Sequence, residues 1–155
     1  NGIVGVLATV GTLQSAQFAA LLESYGRNVE VVTQGCIGLV ECIERGELDT
    51  EHTKQLLQQY CAPLLAEGAD TIVLGCTHYP FVRELIEQIV GKSVTIIDTG
   101  AAVAKQLQHK LSEQSSFNPS TEPATIQFVT NSPHIQANKV IETLWGRPAK
   151  IQRLT

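Results

Sequence analysis

The sequence has no apolar run approaching the roughly 18 residues that cross a bilayer, so no membrane span or membrane partner is expected. GxGxxG is absent, and so is GxxxxGK followed by Ser or Thr, which leaves no dinucleotide fingerprint and no P-loop. No CxxC occurs and no two histidines have metal-ligand spacing, so no metal site is expected. Basic residues number 11 against 15 acidic ones, a formal charge of −4, and a nucleic-acid partner is therefore not expected. Asn1 to Val6 lack the basic and long apolar regions of a signal peptide. Methionine is absent altogether, and Gly2, Ile3 and Val4 enter a strand-like run at once, so the chain is expected to begin in mid-fold.

What is present describes an ordinary globular chain. Its 155 residues, 43% hydrophobic and 17% charged, match one domain able to bury its own core. Such a chain needs no covalent staple. Cys36, Cys42, Cys61 and Cys76 are therefore expected as free thiols.

Short β-branched runs alternate with longer segments of helical period. Ile3–Thr9, Asn28–Thr33, Thr71–Gly75 and Val94–Asp98 read as strands, apolar on both faces as in a buried parallel sheet. Thr12–Tyr25 reads as one helix with Leu13, Ala16, Ala20 and Leu21 on its apolar stripe and Gly26 in the C′ role. Glu51–Glu67 is a second helix, stopped at Gly68 and expected to kink at Pro63. Pro80–Val90 and Ala101–Leu111 follow, with Thr99 as the expected cap of the latter. The βα repetition predicts an α/β, doubly wound parallel sheet with right-handed crossovers.

Ser112–Pro123 reads as a solvated loop. Beyond it, a strand at Thr125–Thr130, a Ser132-Pro133 helix start, a helix over Ile135–Leu144 and an edge strand at Ala149–Leu154 make a βαβ tail. Two strands do not hold a sheet alone. The tail is expected to join the main sheet or to pair with something outside this chain.

Ligands of open α/β sheets bind beyond the carboxyl ends of the strands. Those ends read Ala8-Thr9-Val10-Gly11-Thr12, Gln34-Gly35-Cys36, Gly75-Cys76-Thr77-His78 and Asp98-Thr99-Gly100. Each opens a helix, whose free N–H groups favour anions, so a small carboxylate or phosphate ligand is expected. Glycines and threonines at such junctions also serve as plain turns and caps. Cys76 follows an apolar strand and precedes a helix, a position that favours thiolate. His78, two residues on, has the reach of an acid, base or charge partner. A small buried cysteine beside a capping histidine is the plainer alternative. A cysteine phosphatase needs His before the cysteine and Arg six later; here Gly75 precedes Cys76 and Arg83 stands seven later. Cys36 lies at a strand end without a base, while Cys42 and Cys61 fall among apolar helix neighbours as core. Glu44, beside Arg45, reads by itself as a surface carboxylate. His52, His109 and His134 read as surface positions, and Lys139, Arg147, Lys150 and Arg153 as a solvated face.

Leu74-Gly75-Cys76-Thr77-His78-Tyr79-Pro80 resembles the second-cysteine motif of bacterial glutamate racemases over all of its contiguous residues. Gly5–Thr12 resembles that family's GVxxTxGT segment, Gly35 to Gly46 its cysteine-to-glutamate segment, and Thr99–Lys105 its TGxAVAK ending. Thr130–Ser132 also fits a strand end of the family. Ile37 and Glu41 depart from the pattern, standing where proline is common. The resemblance implies racemisation of glutamate without a cofactor, one cysteine removing the α-proton and another protonating the opposite face. Carried over, Cys76 is the second catalytic cysteine, His78 supports it and touches substrate, and Glu44 is the auxiliary carboxylate. Thr77, Thr9 and Thr12 bind substrate.

The family's Asp-Ser and Cys-Asn-Thr motifs are missing, and the latter holds the first catalytic cysteine. Cys36 does not match that position. The resemblance thus implies the C-terminal part of an enzyme, with residues 1–97 as its second lobe and 98–155 as an incomplete return into its first. The missing N-terminal part is then a partner, and a homo-oligomer is possible within the family. The implied setting is the bacterial cytoplasm and D-glutamate supply for peptidoglycan. An aspartate or hydantoin racemase and a non-catalytic carboxylate-binding module of the same fold are the alternatives.

Overall fold

The computed structural model describes residues 2–132 and 137–154. Four strands, β1 (Ile3–Ala8), β2 (Glu30–Gly35), β3 (Thr71–Leu74) and β4 (Thr95–Ile97), form one parallel sheet in the order β2-β1-β3-β4. The order reverses beside β1, which places a switch-point crevice at the carboxyl ends of β1 and β3.

Helices lie on both faces, as a doubly wound sheet requires, but the two faces are unequal. α4 (Glu51–Ala66) and α5 (Arg83–Val90) close one face. There Leu7, Ile72, Leu74 and Ile96 meet Leu57, Tyr60, Cys61, Leu64, Leu85 and Ile86 in one buried cluster. Gly5 lies under this contact, and a Cβ on it would stand 2.9 Å from Leu64 Cδ1, so the close approach of α4 to β1 depends on glycine. Among the described residues the other face carries α1 (Val10–Leu13) and α2 (Ala16–Tyr25). Its Val4, Val31 and Val73 are half-buried and Ile97 is exposed, against the expectation of strands covered on both faces.

Several local expectations are corrected. Thr12–Tyr25 is two helices, because Ser15 accepts from the Phe18 N–H and donates its hydroxyl hydrogen to the Thr12 carbonyl, restarting the chain with a new cap. The restart changes the helical phase: Ala16, Ala20 and Leu21 are exposed, while Phe18 and Leu22 face the sheet. Gly26 is not left-handed; it opens a 3-10 turn through Asn28, which delays β2 by two residues. Not every expectation changes: α4 is one helix through Pro63, and Gly68 past its end takes the left-handed φ of 84° expected of a stop. A 3-10 turn, Tyr79–Val82, precedes α5. Thr99 precedes α6 (Gly100–Glu113) without capping it; Asp98 Oδ1 instead accepts the Gly100 N–H at 3.0 Å.

The tail keeps to itself. β5 (Phe128–Thr130) and β6 (Ile151–Arg153) pair in parallel as a separate sheet, with α7 (Ala137–Trp145) between them in sequence. Phe128 meets Trp145 edge to face, and the Arg147 guanidinium lies 4.8 Å from that indole. The tail does not join the main sheet; it docks through Leu144 onto the main core. Pro133, His134 and the start of the helix expected from Ile135 lie outside the described residues. Among the described residues no helix is long and apolar enough to cross a membrane.

Candidate active site

β3 ends at Leu74, and the next residues turn over the sheet edge. Gly75 fits closely here: its N–H bonds the Leu7 carbonyl, and a Cβ would crowd that oxygen at 3.2 Å. Cys76 follows, half-buried, and the Tyr79 N–H closes the turn on the Cys76 carbonyl. This turn folds His78 back beside the thiol: Cys76 Sγ lies 3.8 Å from His78 Nδ1. On the far side of the ring, His78 Nε2 stands 3.3 Å from Glu44 Oε1. Glu44 reaches it as the last residue of α3 (Leu39–Glu44), whose start depends on Gly38 at φ 82°.

The neighbouring arginine does not take Glu44. Arg45 turns to Glu47, with Nε and Nη2 donating to its two carboxylate oxygens at 2.9 and 2.7 Å. This fork holds the Glu47 carboxyl below the usual range and leaves Glu44 facing the imidazole. Glu44 is a surface carboxylate, as it reads by itself, and its ion-pair partner is His78. Cys76, His78 and Glu44, far apart in the sequence, thus form one continuous side-chain chain.

A cleft of about 700 Å³ opens beside His78 and Glu44. Its other wall is the tail: Thr130 and Ser132 beyond β5, and Val140, Ile141 and Leu144 on α7. The threonines separate from this group. Thr9 and Thr12 share a hydroxyl contact of 2.8 Å, and Thr9 caps α1 through the Thr12 N–H. Thr9 does stand at the neighbouring strand end, but Thr12 borders a different hollow, beneath α2, with Gly75 and Thr99. Thr77 is exposed. The main site thus gathers Cys76, His78 and Glu44, with the β1 hydroxyls as a separate pair.

The remaining cysteines are core, as their apolar neighbours imply. Cys42 and Cys61 are buried, and so is Cys36. Burial pushes the Cys36 thiol up to about 11 and the Cys61 thiol up to about 12. Both thiols titrate nearer 9 once unfolded, so the folded chain binds more protons in this window. Stability is therefore full below pH 9 and falls as pH rises toward 11, by up to about 1.4 kcal/mol per pH unit for each thiol. Urea melts at pH 8, 9 and 10.5 check this: Cys61→Ala should flatten the alkaline decline, and an unchanged decline contradicts it.

Two supports carry no signal in the sequence. Arg83, first residue of α5, binds Asp98 Oδ2, donates to the Ile96 carbonyl at 3.0 Å, and pairs with Glu87 at 2.7 Å. It ties α5 to the end of β4, and no short spacing announces a pair 15 residues apart. Tyr79, inside the cysteine motif, is fully buried beneath the turn. Its hydroxyl faces the Cys36 thiol but makes no hydrogen bond of good geometry.

Residues 1–107 match the model of the Asp/Glu/hydantoin racemase family. The chain belongs to that family. A glutamate racemase of Pseudomonas entomophila is 50% identical over 154 residues, covering 98% of this chain and 57% of that protein. The glutamate racemase of Francisella tularensis, solved in complex with D-glutamate, superposes with a TM-score of 0.84 at 25% identity, over 100% of this chain and 58% of that one. A glutamate racemase isoform from Bacillus anthracis gives 0.82 at 30% identity, over 99% and 57%. This racemase-family chain spans somewhat more than half the length of the relatives it matches, on their C-terminal part.

Proposed function

We propose that this chain supplies one catalytic face of a glutamate racemase. The observation that carries the reading is the Cys76–His78–Glu44 chain of contacts, at 3.8 and 3.3 Å, whose His78 and Glu44 line a cleft. Glutamate's α-proton is weakly acidic, and its removal needs a base held on one face of the carbon. Cys76 is that base in one direction and the acid in the other. His78 takes up and returns the thiol proton, and Glu44 fixes the imidazole with Nδ1 toward sulfur. Helix N-termini, with the hydroxyls of Thr9 at the neighbouring strand end and of Thr77 beside Cys76, receive the substrate's carboxylates, while Thr12 holds Thr9 in place. The proposed chemistry uses no cofactor.

The opposite face requires a second thiol, and Cys36, Cys42 and Cys61 are buried and therefore unsuited to it. It comes from a further part of a longer enzyme. In this reading residues 1–97 are one lobe and 98–155 return to another, which the separate two-stranded sheet supports. The reading carries a bacterial cytoplasmic setting and D-glutamate supply for the cell wall.

Circular dichroism of L-glutamate tests the proposal. The longer enzyme should abolish the optical activity over time, and the purified 155-residue chain should leave it unchanged. Sustained racemisation by the chain alone contradicts the one-face reading; none by the longer enzyme contradicts the activity.

A further inference from the structure

The cleft beside His78 has a feature that a dicarboxylate ligand leaves unused. Val140, Ile141 and Leu144 give its far wall an apolar surface. His78 and Glu44 line the near side, with His78 Nε2 meeting Glu44, and Cys76 Sγ stands behind the ring against His78 Nδ1. That is the order nucleophile, base and orienting carboxylate, with each pair facing opposite edges of one imidazole. Among the described residues the backbone N–H groups of Cys76, Thr77 and His78 donate to no acceptor, so donors stand free next to the sulfur. The other three thiols are buried, so an electrophile meets Cys76.

We propose that Cys76, His78 and Glu44 form an acyl-accepting site, which takes a small aliphatic acyl group from an activated ester or thioester onto the Cys76 sulfur. The thiol proton passes to His78 Nδ1. Sulfur bonds to the carbonyl carbon, and the bond from that carbon to the leaving oxygen or sulfur breaks. The leaving group departs with the electron pair and takes up the proton held by His78. The product is a Cys76 thioester, and no electrons change hands. The acyl chain passes the edge of the imidazole to reach the Val140, Ile141 and Leu144 wall.

This activity needs one face only, so it stands or falls apart from racemisation. The test uses the 155-residue chain with p-nitrophenyl acetate and p-nitrophenyl hexanoate, following nitrophenolate release and locating the acyl group by peptide mass spectrometry. One nitrophenolate per chain and an acyl group on Cys76 are expected. The release rate should fall about tenfold or more in His78→Asn. Glu44→Gln should lower it less, and both variants keep these half-exposed sites foldable. Hexanoate should react faster than acetate, each methylene that reaches the wall being worth about threefold, whereas a merely exposed thiol reacts no faster with the longer ester. Equal rates in wild type and His78→Asn, or an acyl group on another residue, overturn the proposal. Slower reaction with hexanoate overturns the assignment of the apolar wall.

Discussion

Cys76→Ser lowers glutamate racemisation by the proposed longer enzyme by about a thousandfold or more, the range expected when a positioned acid–base group is lost. Serine keeps the size of the side chain and can still meet His78. It does not keep the acidity, because a hydroxyl gives up its proton far less readily than a thiol. The substitution should leave the fold alone, since Cys76 is half-buried at a turn held by backbone contacts: Gly75 N–H to Leu7, and Tyr79 N–H to Cys76. The rate is read from the decay of the circular dichroism of L-glutamate, with a urea melt as the folding control. Retention of more than about a tenth of the rate excludes Cys76 from the proton-transfer step. A matched loss of stability would move the effect from chemistry to folding. His78→Asn provides the second reading, since it keeps the thiol and removes the group that exchanges its proton. Its loss should be smaller than that of Cys76→Ser and should change with pH, which a packing effect does not do.

The placement of Cys76 and His78 is legible because they sit where backbone rules put a strand end. A strand end followed by a helix start puts Cys76 and His78 at the crevice, and sheet order then sets β3 beside β1. The core was legible through α4, whose apolar positions Leu57, Tyr60, Cys61 and Leu64 are buried as their spacing requires. Glu44 was different. By itself it reads as a surface carboxylate, and the resemblance alone placed it with His78 and Cys76. Which carboxylate the arginine takes depends on Glu47 two residues on, a competition that local pattern does not resolve. The split of the first helix was missed because a serine within an apolar period carries no mark of whether it caps or is carried along. The Arg83–Asp98 tie and the separate tail sheet are tertiary events, set by how elements meet. The unequal covering of the two sheet faces is of the same kind: β-branched runs record that a strand is apolar, and not which face finds a partner.

Tyr79→Ala costs about 3–5 kcal/mol, the range for a large ring removed from a packed core. The ring is fully buried between the Cys76 turn and the Cys36 loop, and it belongs to the same cluster as Leu39, Ile43 and Leu74. Its removal leaves a cavity under the residues that place Cys76 and His78. The turn cannot collapse into it freely, because Gly75 is tied to Leu7 and Phe81 to His78. Tyr79→Phe separates the ring from the hydroxyl. That hydroxyl is buried without a well-formed hydrogen bond, a state that costs rather than stabilises. Burial also holds the phenol in its neutral form, so no charge is lost with it. Phenylalanine should therefore be as stable as tyrosine or more so by about 1 kcal/mol, while alanine melts far below both. Urea denaturation of the three proteins at pH 7 decides the matter. A phenylalanine variant as unstable as the alanine one shows that the hydroxyl, held toward the Cys36 thiol, contributes a bond that the ring packing does not explain.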